Sequence, residues 1–161
     1  MTERILILGV GNILYSDEGI GVRAVEYLAE YFREHAAQPA TVTLLDGGTL
    51  GLGLMDAIMG CDRLIVLDAV LGNSAPGSLY RLEGDDLRQS LSFRDSMHQT
   101  DLVDTLIFCE LAGHRPSAVV LGMEPADYQS LSTALSPACA GRIPALAEAA
   151  LQELRELGIE V

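Results

Sequence analysis

Hydrophobic and polar positions along the chain switch between two periods, and the switching predicts strand and helix in turn. Ile5 to Val10 is a short apolar run of the kind found in a strand buried on both faces. A glycine-rich turn follows. Ile20, Ala24, Tyr27, Leu28 and Tyr31 then recur at helical spacing, with Arg23, Glu26, Glu30 and Arg33 on the other faces. A second strand is expected from Val42 to Leu45, ending at Asp46, where Gly47 and Gly48 break it. A helix around Leu52 to Met59 comes next, and a third strand runs from Leu64 to Leu67 and ends at Asp68. Ala75-Pro76-Gly77 reads as a tight turn, because proline fixes φ and glycine accepts positive φ.

Only eight residues, Ala69 to Pro76, separate the third strand from a fourth at Ser78 to Leu82. A parallel crossover needs a dozen or more, so the fourth strand is expected to run antiparallel near an edge. Gly84 to Thr100 is polar and irregular, a long functional loop. Asp101 is placed to cap a helix running to Ala112, and Val119 to Gly122 is the fifth strand. Ser136-Pro137 is a helix start, with serine at the cap and proline at the first position. The last helix carries Ile143, Leu146, Ala147, Ala150, Leu151 and Leu154, with Pro144 in its first turn or kinking it. The predicted fold is α/β in three layers: a five-stranded, mostly parallel twisted sheet, its fourth strand antiparallel, with helices on both faces.

Composition narrows the function. The 161 residues are read as one domain, 1–161, and the 49% hydrophobic content supplies a core without metal or disulfide staples. Ten Lys and Arg against 23 Asp and Glu leave a net charge of −13, which argues against nucleic acid and against an anionic membrane surface as partner. No apolar run approaches the ~18 residues of a membrane span. The early charges Glu3 and Arg4, with no small-residue cleavage site after the first apolar run, predict no signal peptide. Cys61, Cys109 and Cys139 are widely spaced, with no CxxC pair, so neither a disulfide framework nor a zinc ribbon is indicated. The expectation is a reduced, cytoplasmic protein. Without a heptad pattern or a basic complement, it is expected to be a monomer.

The candidate chemistry lies where the acids sit. Ligands of open α/β sheets bind outside the carboxyl ends of the strands, near the point where strand order reverses. Strand one leads into Gly9-Val10-Gly11-Asn12 and then Asp17 and Glu18; strand two ends at Asp46 and strand three at Asp68. If the strands are parallel neighbours, four acids converge on one crevice. Singly, each has a structural reading as a cap or turn residue. Together they repel unless a cation or proton sits among them. A dinucleotide site is the competing reading of Gly9-x-Gly11. It is opposed by Leu14 at the third glycine position and by Asp17-Glu18 where a pyrophosphate would lie. His98, in the long loop, has no cap or core pattern that calls for it, whereas His35 and His114 read as helix-end residues. Two carboxylates and one imidazole would hold a divalent ion with positions left open; the donor set alone does not choose among zinc, nickel, iron and manganese.

Ile7-Leu8-Gly9-Val10-Gly11-Asn12-Ile13-Leu14, followed by Ser16-Asp17-Glu18-Gly19-Ile20-Gly21-Val22, closely resembles the opening motif of the nickel–iron hydrogenase maturation endopeptidases. Leu45 to Thr49 and Leu67 to Val70 are similar to that family's second and third motifs, and the Ala75-Pro76-Gly77 turn and the Met97-His98-Gln99 loop to later ones. The resemblance implies removal of a C-terminal extension from the precursor of the hydrogenase large subunit after nickel insertion. It places metal contacts on Glu18, Asp68 and His98 and a further acid on Asp46. It also implies that the nickel is held by the substrate, and no nucleotide cofactor is expected. Asp46, at a strand end without an assigned metal role, is the candidate general base. A non-enzymatic nickel or assembly chaperone for the large subunit is the alternative on the same crevice.

Overall fold

The structure is a computed structural model and describes residues 3–48, 53–91 and 102–161. In chain order it holds β1 (Ile5–Val10), α1 (Ile20–Glu34), β2 (Val42–Gly48), α2 (Gly53–Met59), β3 (Arg63–Ala69), β4 (Leu79–Leu82), α3 (Leu102–Leu111), β5 (Ser117–Met123), α4 (Pro137–Ala140) and α5 (Ile143–Glu156). Two 3-10 segments, Ser16–Gly19 and Gly84–Gln89, precede α1 and follow β4. The sheet order is β2-β1-β3-β5-β4; all neighbours are parallel except β4, which pairs antiparallel with β5 at the edge. The short connection from β3 decides that direction, as the spacing predicts.

Strand alternation divides the core into two layers. Ile5, Ile7, Ile65, Leu67, Val119 and Leu121 pack with the apolar stripes of α1 and α5. Leu6, Leu8, Leu64, Val66 and Val120 pack with α2 and α3 on the other side. The central strands are buried on both faces, which is why they read as near-continuous apolar runs. At the β4 edge, the buried carboxylate of Glu153 on α5 meets Arg81 of β4 and lies 3.6 Å from Arg63 of β3. Among the described residues no helix is long and apolar enough to cross a membrane.

Three expectations need correction. Gly47 and Gly48 do not end β2. The register passes from Gly9↔Asp46 to Val10↔Gly48, so Gly47 is the extra residue of a bulge and the strand continues through Gly48. A Cβ at Gly47 would lie 2.8 Å from Leu8 Cδ1 and 2.9 Å from Leu54 Cδ2, so any side chain there would have to displace these two core leucines. The loop predicted from Gly84 opens with a 3-10 segment capped by its own backbone. Ser136-Pro137 starts a helix with the serine side chain as cap, but that helix stops at Ala140, and Pro144 lies in the first turn of a separate α5. His98 and Asp101 fall outside the described residues.

Candidate active site

The strand order reverses between β1 and β3, and the carboxyl ends of these two strands meet the start of α1. Two glycines make that meeting close. A Cβ on Gly9 would lie 2.3 Å from the carbonyl oxygen of Gly21, and a Cβ on Gly21 would lie 2.0 Å from that of Leu67. The first turn of α1 therefore rests directly on the sheet backbone. The 3-10 turn carrying Asp17 and Glu18 is delivered to the switch point and packs against β3.

Ser16, two positions before Glu18, has φ of +52°, a conformation that costs a non-glycine residue about 1–2 kcal/mol. It is held there from outside. Its N–H donates to Ser132 O (2.8 Å) and its hydroxyl to Ala134 O (3.1 Å). Strain of this kind concentrates where the surroundings over-determine a functional geometry.

The four acids do not converge on one crevice. Asp17 turns inward and is fully buried. Its carboxylate accepts the N–H groups of Ala126 (2.8 Å), Asp127 (3.0 Å) and Ser136 (2.8 Å) and the Ser136 hydroxyl (2.7 Å). Burial pushes its pKa up, but the donors from Asp127, Ser136 and Ala126 outweigh it and hold the group below the usual carboxylate range. Asp17 is thus neither a crevice acid nor a helix cap; it clamps the chain between β5 and α4 to the turn that carries Glu18. Asp17→Asn puts an amide donor among these donors and is expected to cost about 2–4 kcal/mol of stability in denaturant unfolding. Because the folded pKa is depressed, that contribution is present above the unfolded value near 3.9. It is lost as pH falls through the folded pKa, so the gap between wild type and variant should be constant at neutral pH and close only in acid.

Asp46 and Asp68 flank the end of β1 but leave the sheet on opposite faces. Leu44 packs with the α1 layer and Leu45 with the α2 layer, so Asp46 lies on the α1 side. It is exposed, accepts the N–H of Gly48 (3.0 Å), and lines a cleft of about 170 Å³ with Gly11, Asn12, Ile13, Val22 and Gly48. Beside this cleft, Ile13, Leu14 and Tyr15 form an exposed apolar rim. Asp68 continues the parity of Leu64 and Val66 and is fully buried. It accepts the N–H of Ala69 (2.8 Å) and the hydroxyl of Ser90 (2.5 Å). Glu18 is half-buried. Among the described residues no three His, Cys, Asp or Glu side chains gather around one metal position. The third ligand expected from the sequence, His98, lies outside them.

Two groups escaped the sequence reading. Glu124, the residue after β5, is buried; its Oε1 accepts the N–H of Gly72 (2.9 Å), the N–H of Ser74 (2.8 Å) and the Tyr80 hydroxyl (2.7 Å). Burial raises its pKa, but the Tyr80 hydroxyl and these amides more than reverse the effect. An acid directly after a strand was the available signal, the same one that marks Asp46 and Asp68. Ser90 had no signal in the sequence. The thiol of Cys139, in α4, is fully buried, and burial pushes its pKa up.

A sequence model of the family described as "HycI: Hydrogenase maturation protease" matches residues 22–153. The chain belongs to the hydrogenase maturation protease family. Relatives of that family and its neighbours agree across nearly the whole chain. The hydrogenase expression/formation protein HupD of Rhodobacter capsulatus is 43% identical, over 99% of this chain and 75% of its own length. The hydrogenase 2 maturation protease of Escherichia coli is 36% identical, over 98% of this chain and 94% of its own. The solved structure of the hydrogenase maturating endopeptidase HybD from E. coli superposes with a TM-score of 0.83 at 36% identity, covering 98% of this chain and 95% of that one. The five-stranded mixed sheet of this maturation protease is thus the fold of HybD, and the dinucleotide reading of Gly9-x-Gly11 is not supported.

Proposed function

We propose that this chain is an endopeptidase that removes the C-terminal extension of the nickel–iron hydrogenase large-subunit precursor after nickel has been inserted. It acts as a monomer in the cytoplasm. The substrate's own nickel is contacted by Glu18, Asp68 and His98, and Asp46 is the general base. Carboxylate and imidazole donors suit such an ion. The observation that carries the reading is the placement of Asp46 and Asp68 on either side of β1 at the switch point, in a chain of the hydrogenase maturation protease family.

The spacing favours one of two mechanisms. Adjacent strands lie about 4.8 Å apart, so β2 and β3 on either side of β1 are separated by about 10 Å. A general base works within ~2.6–3.2 Å of its proton, or through one water. Asp46 is therefore matched to a water in its own cleft rather than to one bound on an ion at Asp68. In this reading nickel is a checkpoint that places the scissile bond. Asp46 removes a proton from water as the oxygen attacks the scissile carbonyl, and the amide C–N bond then breaks as a proton reaches the leaving amine. Supplying the ion from the substrate makes binding conditional on it, because the charges of Glu18 and Asp68 gain the attraction of the cation only when it arrives.

The test is a cleavage assay on purified large-subunit precursor, with and without nickel, read by intact mass of the large subunit and of the released peptide. Release from the nickel-loaded form alone is expected. Binding without release would point to a chaperone, and neither would reopen the nucleotide reading. In the same assay Asp46→Asn is expected to keep nickel-dependent binding and lose cleavage by about 100-fold or more. Cleavage at the wild-type rate would remove Asp46 from the mechanism.

A further inference from the structure

We propose that Ser90 is a positioning residue for the reaction, its hydroxyl orienting the Asp68 carboxylate toward the substrate's nickel. The inference rests on the proposed reading of Asp68 as a nickel contact. Ser90 and Asp68 are both fully buried, and the serine hydroxyl donates to Asp68 Oδ2 at 2.5 Å across 22 residues of chain. A hydroxyl facing a carboxylate can only donate, and O–H···O⁻ bonds of this length are among the stronger ones proteins make.

The other oxygen, Oδ1, accepts the N–H of Ala69. The last torsion of an aspartate side chain is intrinsically broad. Donors on both oxygens fix the carboxylate plane. The backbone holds the donor in place. Ser90 forms an antiparallel bridge with Val70, two residues beyond Asp68, and its N–H is bonded to Leu87 O. The Ser90 side chain is therefore fixed relative to the end of β3 by contacts independent of its own hydroxyl.

Partners that orient a metal-contacting side chain are typically worth about 10–100-fold in metal affinity or activity. The experiment measures binding of nickel-loaded and nickel-free precursor to wild type, Ser90→Ala, Ser90→Cys and Asp68→Asn, with cleavage followed in parallel. Ser90→Ala is expected to lose about 10–100-fold in affinity for the loaded precursor while binding the nickel-free form unchanged. A merely structural serine would weaken both forms alike or neither. Ser90→Cys, which keeps a weak donor at similar volume, is expected to fall between and serves if the alanine variant does not fold. Undiminished preference for loaded precursor in Ser90→Ala, with that preference lost in Asp68→Asn, would overturn the role of Ser90 alone. Undiminished preference in Asp68→Asn would overturn the nickel contact and this inference with it.

Discussion

Gly21→Ala is expected to lower the melting temperature by roughly 6–12 °C. A Cβ there would lie 2.0 Å from Leu67 O and 2.6 Å from Val10 O, both main-chain atoms of central strands. Neither can rotate aside. Relief requires lifting the first turn of α1 from the sheet, which separates Ile20, Ala24 and Val25 from the layer they fill with Ile5, Ile7 and Leu67. Overpacking a tight core typically costs about 1–3 kcal/mol, and a backbone-on-backbone clash belongs at the top of that range or above it. For a domain of this size each kcal/mol moves the midpoint by about 2–4 °C. The same displacement carries Glu18 away from β3, so processing should fall further than stability. Thermal unfolding checks the first effect, and a midpoint within 2 °C of wild type would show that α1 approaches the sheet less closely.

Glu18→Gln is expected to reduce processing of nickel-loaded precursor by at least about 100-fold, a loss larger than that from an orienting partner. The amide has the shape of the carboxylate but not its charge, and a neutral oxygen is a poorer donor to a divalent ion. Glu18 sits half-buried on a turn secured by the Asp17 clamp and by the bonds of Ser16. The variant should therefore keep the wild-type fold, and lost cleavage would reflect the missing charge. Processing by Glu18→Gln at the wild-type rate would count against any account in which this residue meets the ion.

Much of the fold was legible because its signals are local. The apolar run of β1, the short link that turns β4 antiparallel, and the serine cap with proline beside it each depend on neighbours in the chain. The site was legible as a place but not as a geometry. That Asp17 points inward depends on amides 109 to 119 residues away, and no local pattern carries that information. Strand parity could have separated Asp46 from Asp68 had the register been known. That register, Gly9 opposite both Asp46 and Leu67, is a long-range pairing that no local pattern carries. Ser90 is visible only once Val70 and the end of the second 3-10 segment are side by side.

The order β2-β1-β3-β5-β4 also governs how the chain comes off the ribosome. The strand between β3 and β4 is the last of the five to be made, about 50 residues after β3 ends. At about 5–20 residues per second this gap lasts roughly 3–10 seconds. During it the apolar run Leu64 to Leu67 has no neighbour on its outer edge, and β4 has no partner at all. An unpaired apolar edge is a template for pairing with other chains. The longer translation takes to reach β5, the longer this edge stands open to such pairing.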